Sequence, residues 1–279
     1  MTSSGPVPAP THVAVLVADH GSRAALTFAC AEADRAGAGL HLVAIVGLDA
    51  HEERGVARAE AVLSEAGAFV QSLAGGPRHV SSELWHGDPV PGIVHAVRGA
   101  HLLVLEREGR VERVAAPWVG VRITAHAPVA VAIVPGERSP VGGTVTVGVQ
   151  DPLSCSPLVA SGAAAARARG AALRIVHVGW DPTATDASDL SESVAALHLE
   201  PELTVSVETV LGRPAEVLLA ASRRSVLMVV GRHHPKNLRG PSLGPVARRV
   251  LRGAACPVLL PTPADSMSSA EWVFAGHLG

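Results

Sequence analysis

Two stretches of this chain are variants of one another, and that duplication limits what it can fold into. HGDPVPGIVHAVRGAHLLVLER (His86–Arg107) aligns without a gap on LGRPAEVLLAASRRSVLMVVGR (Leu211–Arg232). Gly87, Pro89, Ala96, Arg98, Leu102, Val104 and Arg107 match Gly212, Pro214, Ala221, Arg223, Leu227, Val229 and Arg232. Shorter echoes bracket this core in the same order: HVAVLVAD with TVTVGVQD, GLHLVAIV with ALRIVHV, and APVAVAIVP with CPVLLP. A period this long means two homologous domains rather than a solenoid. They meet at PGERSPVGG, whose Pro, Gly and Ser content suits a linker. The expected organisation is a first domain over 1–137, a second over 138–262, and a C-terminal tail over 263–279.

Each half alternates short Val/Leu/Ile runs with alanine-rich amphipathic stretches. Strands are expected near Val13–Ala18, Leu40–Val46, His79–Trp85, Leu102–Leu105 and Val129–Val134, then near Val145–Val149, Leu173–Val178, Thr204–Val210, Val226–Val230 and Val258–Leu260. Helices are expected near Arg23–Ala36, Gly55–Leu73, Pro91–Val97 and Trp118–Ala125, then near Pro157–Arg169, Ala187–His198, Ala215–Ser222 and Pro245–Arg252. Near-continuous apolar strands imply burial on both faces, hence a mainly parallel sheet between helices. The fold class is α/β: two tandem doubly wound, five-stranded parallel-sheet domains.

Composition narrows the function. Hydrophobic residues make up 48%, charged residues 17%, and the formal net charge is −2. A general polyanion binder needs a basic excess that this chain lacks. At 3% aromatic residues and no Tyr, it offers no stacking platform for single-stranded nucleic acid. Apolar runs such as VAVAIV are too short to span a bilayer. The first residues, MTSSGPVPAPTHVAV, read as a short leader without a basic start and apolar core, so a cytoplasmic location is expected. Cys30, Cys155 and Cys256 are widely spaced with no C-x-x-C pair, which favours reduced, buried thiols. Trp85, Trp118, Trp180 and Trp272 read as packing residues.

The stretch Gly212–Pro261 carries the chemistry. An apolar strand runs into a loop punctuated by Gly231, Gly240 and Gly244, and a helix pattern follows. That layout, with VARRVLRGAACPVLLP after it, resembles the universal stress protein family, and the whole chain resembles a tandem pair of such domains, over roughly 13–135 and 144–261. The resemblance implies the adenine nucleotide alpha hydrolase-like fold, with the final strands paired at a dimer interface. It also implies that ATP-binding members carry G-x2-G-x9-G-(S/T) after the fourth strand and an aspartate ending the first. Bare backbone amides at a helix N-terminus would then cradle phosphates.

Set against that pattern, Gly231 and Gly244 fit the first and last glycines, but His234 stands for the middle glycine and Pro245 for the terminal hydroxyl. Proline suits the first helical position, so the helix survives while the anion site loses a hydroxyl and an N–H. Two lost charge-assisted hydrogen bonds, at ~1.5–3 kcal/mol each, weaken binding roughly a hundredfold or more. The family pattern puts Gln150 at the aspartate position, with Asp151 one step later. Asp151, Val178, Gly231, Arg232, His234, Gly240 and Gly244 are the candidate nucleotide-site positions of the second domain, and Asp19 that of the first. In the first half Glu106 replaces the first glycine, Gly109 keeps the second, Ala115 falls where the last should be, and Glu108 and Glu112 add negative charge. The loop to Pro128 is also four residues shorter than its counterpart to Pro257. Neither half has a complete motif.

Arg232, His233, Lys236 and Arg239 make the second loop basic, and Arg248, Arg249 and Arg252 follow on the helix. A solvated loop and polar helix face account for them, and so does a patch for phosphate or an acidic partner. No H-E-x-x-H or Cys/His cluster marks a metal site, and no G-x-S-x-G elbow marks a nucleophile. Ser22 near Asp19 and His20 reads as turn chemistry. Within the tail, SSAEWVF reads either as a short docking helix or as a frayed end.

The leading expectation is a non-enzymatic stress-response regulator, with no required cofactor and weak or absent ATP binding, that acts through a protein partner. The alternatives are a regulator that binds ATP or another adenine nucleotide through the second domain and, third, a nucleotide-hydrolysing enzyme. VAVAIV and PVLL are expected to meet within one chain as an internal pseudo-dimer, with a homodimer of chains also open. No membrane or nucleic-acid partner is expected.

Overall fold

The computed structural model describes residues 12–18, 22–47, 52–73, 79–107, 119–136, 142–179, 184–232 and 242–262. Two compact units divide between Val129 and Ala130. The first runs β1 (His12–Leu16), α1 (Arg23–Ala36), β2 (Gly39–Val46), α2 (Glu52–Ser72), β3 (Val80–His86), α3 (Pro89–Ala96), β4 (Ala100–Arg107) and α4 (Val119–His126). Its strands are ordered β3-β2-β1-β4, and every pair is parallel.

The second unit runs β5 (Ala130–Pro135), β6 (Thr144–Val149), α5 (Ser156–Arg167), β7 (Ala172–Gly179), α6 (Ala184–Ala195), β8 (Val205–Leu211), α7 (Pro214–Ser222), β9 (Ser225–Val230), α8 (Pro245–Gly253) and β10 (Val258–Leu260). The strands β10-β9-β6-β7-β8 are parallel neighbours. β5 adds to β10 in the antiparallel sense, Val258 opposite Ile133 and Leu260 opposite Val131. This is the expected meeting of VAVAIV with PVLL. The repeat closes the first half with β5, whereas compactness opens the second unit with it, because β5 is hydrogen-bonded to β10.

The expected helices and strands are all present, most of them with ends shifted by a few residues. α3 starts two residues earlier than the apolar pattern suggests, since Asp88 caps it. Its carboxylate accepts from the Val90 amide at 2.8 Å, and Pro89 takes a first-turn position that needs no donor. The duplication reaches into backbone irregularity. The β1–β4 ladder slips between His12 and Val13, and the β6–β9 ladder slips at the matching Thr144 and Val145.

The core of the second unit is packed on both faces of β6 and β9. Val145, Val147, Leu227, Met228 and Val229 are fully buried. One polar pair lies among them: the Thr146 and Ser225 hydroxyls are 2.7 Å apart, and Ser225 Oγ also donates to the Ala221 carbonyl at 3.0 Å. Every hydroxyl therefore has a partner, so burial costs little. Cys30, Cys155 and Cys256 are buried, and none of the three is in a disulfide. Burial, with Asp34 nearby, pushes the Cys30 thiol up to about 11, which makes it a poor nucleophile at neutral pH. Among the described residues no helix is long and apolar enough to cross a membrane.

α5 lies unusually close to β6. A Cβ built on Gly162 would sit 2.2 Å from Val147 Cγ2, a stiff β-branched neighbour in the core. Alanine for glycine in a free helix gains about 1 kcal/mol. Here the Gly162→Ala substitution is expected instead to cost about 1–3 kcal/mol through overpacking, read by urea denaturation.

Candidate functional site

In a doubly wound sheet, ligands enter where neighbouring strands lead to helices on opposite faces, at the carboxyl ends of those strands. In the second unit that point lies between β6 and β9. Gly148 pairs with Val230, so the next residues of each strand, Val149–Asp151 and Gly231–Arg232, emerge side by side. β9 and β10 are parallel, so α8 must start at this same edge. Gly244 is its N-cap and Pro245 opens it, and among the described residues no side chain caps its amides. Tertiary structure thus brings Asp151, Gly231, Arg232 and Gly244 to one rim, and Val178 lies buried near the end of the adjacent β7. Asp19, His234 and Gly240 lie outside the described residues, as do His233, Lys236 and Arg239 of the same loop, and Gly109, Ala115 and the tail.

Two polar side chains described on this rim, those of Asp151 and Arg232, are already engaged. Asp151 caps the short 3-10 turn Pro152–Ser154, accepting from the Leu153 amide at 3.1 Å and from Ser154 Oγ at 2.6 Å. Arg232, expected among the exposed bases of the loop, turns inward instead. It is 1% exposed, and its Nε donates to the Pro261 carbonyl at 3.0 Å, tying the end of β9 to the residue after β10. Burial lowers its guanidinium to about 10, still cationic at neutral pH. His177, which no spacing pointed to, is buried beside the rim and holds the Val149 carbonyl through Nδ1 at 3.2 Å.

Gly231 is different. Its φ is not in the left-handed region, and among the described residues an added Cβ would meet only Leu158 Cδ2 at an ordinary 3.9 Å. Among those residues neither conformation nor packing requires glycine there. The matching residue of the first unit is Glu106, and it shows what the position faces. Ser22, the N-cap of α1, has φ 46° and makes no cap bond; its hydroxyl accepts from the Ala18 amide at 3.0 Å. The missing cap comes from Glu106, whose Oε2 accepts from the Ala25 amide at 3.0 Å. A carboxylate from β4 thus occupies the helix terminus that looks onto the first unit's crevice.

The exposed arginines Arg248, Arg249 and Arg252 line an open groove of about 680 Å³ along α8, with Leu219, Leu243, Pro245 and Gly253. Among the described residues none of the three forms an ion pair. This groove follows the flank of α8 rather than the strand ends. No group of three or more His, Cys, Asp or Glu side chains among the described residues is placed to hold a metal ion.

This fold and rim can be set beside known proteins. Residues 143–260 match the universal stress protein family. A universal stress protein of Mycobacterium tuberculosis is 28% identical over 237 residues, covering 74% of this chain and 73% of that one. The crystal structure of a universal stress protein from Archaeoglobus fulgidus superposes with a TM-score of 0.69 at 18% identity, covering 89% of this chain and 96% of its own. A putative universal stress protein from Pseudomonas aeruginosa gives 0.67 at 17% identity, covering 96% and 98%. The second half therefore carries the family's sequence pattern, and nearly the whole chain has the fold of those structures.

Two substitutions test the rim. Glu106→Ala removes a side-chain cap of α1 and is expected to cost about 1–2 kcal/mol in chemical denaturation. Arg232→Met keeps the bulk but strips the Pro261 carbonyl of its donor. It is expected to cost about 1–3 kcal/mol and to speed amide exchange in β10.

Proposed function

We propose that this chain is a tandem universal stress protein that serves as a stress-response regulator in the cytoplasm, with weak or no ATP binding, and acts through partners rather than by catalysis. The observation that carries this reading is the state of the second unit's rim. Asp151 caps its own turn, Arg232 is buried against Pro261, and Pro245 stands where a hydroxyl and an amide would meet phosphate. The first unit's crevice is less suited to a polyphosphate still, because Glu106 presents a carboxylate to the same helix terminus. The groove along α8 supports the partner part of the reading, since three exposed arginines flanking an apolar floor favour an acidic segment of another protein.

A second reading rests on Gly231 and the bare start of α8. An unneeded glycine beside uncapped amides suits close approach by an anion, and it supports adenine-nucleotide binding in the second unit. Thermal unfolding separates the two. A ligand at about one hundred times its dissociation constant stabilises by ~2.7 kcal/mol. The expected outcome is no shift in Tm at millimolar Mg-ATP. A shift that Gly231→Ala abolishes would establish the second reading instead. Without ligand, that variant is expected to stay within about 0.5 kcal/mol of the parent, because the position has room.

A further inference from the structure

One face of the first unit carries a row of imidazoles that the nucleotide-site reading does not use. His12 at the start of β1 and His41 on β2 meet edge to face, ring centroids 5.4 Å apart. His41 Nδ1 bonds Ser81 Oγ at 2.9 Å, and its Nε2 lies 3.3 Å from Glu83 on β3. The other Glu83 oxygen is 3.6 Å from His95 on α3, and His95 lies against Trp85 at 5.3 Å. On the other side of β1, His101 of β4 hydrogen-bonds the His12 backbone, and its Nδ1 is buried with no partner among the described residues. The α3 backbone at Ala96 also bonds the His12 ring, and Glu32 of α1 lies within electrostatic reach of His101.

The duplication supplies a built-in control. In the aligned halves His12, His41, His95 and His101 correspond to Thr144, Arg174, Ala220 and Val226, while Glu83 corresponds to Glu208. The ladders agree: His12 and Thr144 each begin a central strand at the same register slip. Where the first unit sets His41 against Glu83, the second sets Arg174 against Glu208 in a two-pronged pair at 3.0 and 2.7 Å. An arginine keeps its charge across the physiological range; a histidine does not. The second unit has fixed charge or no charge at each position where the first has a titratable ring.

We propose that the first unit is an acid-sensitive element, in which protonation of His12 and His101, in the row with His41, loosens β1, β2 and β4 while the second unit stays closed. Charge counting gives the reason. Three imidazolium rings in this row, with His95 beyond, would face two carboxylates, Glu83 and Glu32, and Glu32 is already paired with Arg35 at 2.6 Å. Burial first, and then the neighbouring His41, holds His12 below the ordinary imidazole range; burial does the same for His101. The unfolded chain therefore takes up these protons before the folded one. Stability is fully present above the unfolded value of about 6.5 and falls as pH drops from there through the lowered folded values.

The test is amide exchange on the full chain at pH ~7.5 and ~5.5, corrected for the intrinsic rate of unprotected amides. Protection over 12–16, 39–46 and 100–107 is expected to fall at least about tenfold on acidification, with less than roughly threefold change over 144–149, 172–179 and 225–230. A triple variant carrying the second unit's residues, H12T, H41R and H101V, is expected to lose the fall. If it does not fold at neutral pH, H101V alone is expected to shrink it at least about threefold. An equal fall in both units, no fall in either, or a fall unchanged in these variants would overturn the proposal.

Discussion

Burial of the central strands on both faces is the constraint on which the rest of the second unit depends. β6 and β9 run side by side with Val145, Val147, Leu227 and Val229 fully enclosed. Between these strands one polar pair, Thr146 with Ser225, is tolerated because each hydroxyl finds a partner. A buried polar or charged group without such a partner would be costly. Chemistry is therefore displaced to the carboxyl ends of the strands, where Asp151, Gly231 and Arg232 emerge together. Even there the interior keeps its claim. Arg232 is drawn inward to hold Pro261, and Asp151 holds its own turn.

The two halves keep one scaffold and differ where strands end and where side chains face helices. Glu106 and Gly231 occupy the same place after the fourth strand of each half, yet one caps a helix with a carboxylate and the other leaves bare backbone. His41 and Arg174 occupy the same place on the second strand, each facing a glutamate, one as an imidazole and the other as a two-pronged guanidinium. These four positions are only partly buried, so the differences leave the fully buried strand residues alone.

Much of this was legible beforehand, for a local reason. The run Arg23–Ala36 reads as a helix and forms one with those ends, and Val258–Leu260 reads as a strand and forms one. Apolar period and chain punctuation are short-range properties, and so is the duplication seen between His86–Arg107 and Leu211–Arg232. The meeting of VAVAIV with PVLL was also legible, because two apolar final strands need partners. The state of the rim was not. Arg232 sits in a basic stretch and looks solvated from its neighbours, and its acceptor is 29 residues away. Glu106 reads as added negative charge, whereas it caps the first turn of α1 at an amide 81 residues before it. His177 shows nothing in its neighbours to suggest that it steadies the end of β6.

The amino-acid order alone settled the element types and their sequence, since each follows from periodicities and residue conformations a few positions long. Tertiary structure alone decided which polar groups remain for a ligand, which arginine is interior, and which histidines share one face. Those outcomes depend on strand register and helix docking, which bring together residues tens of positions apart.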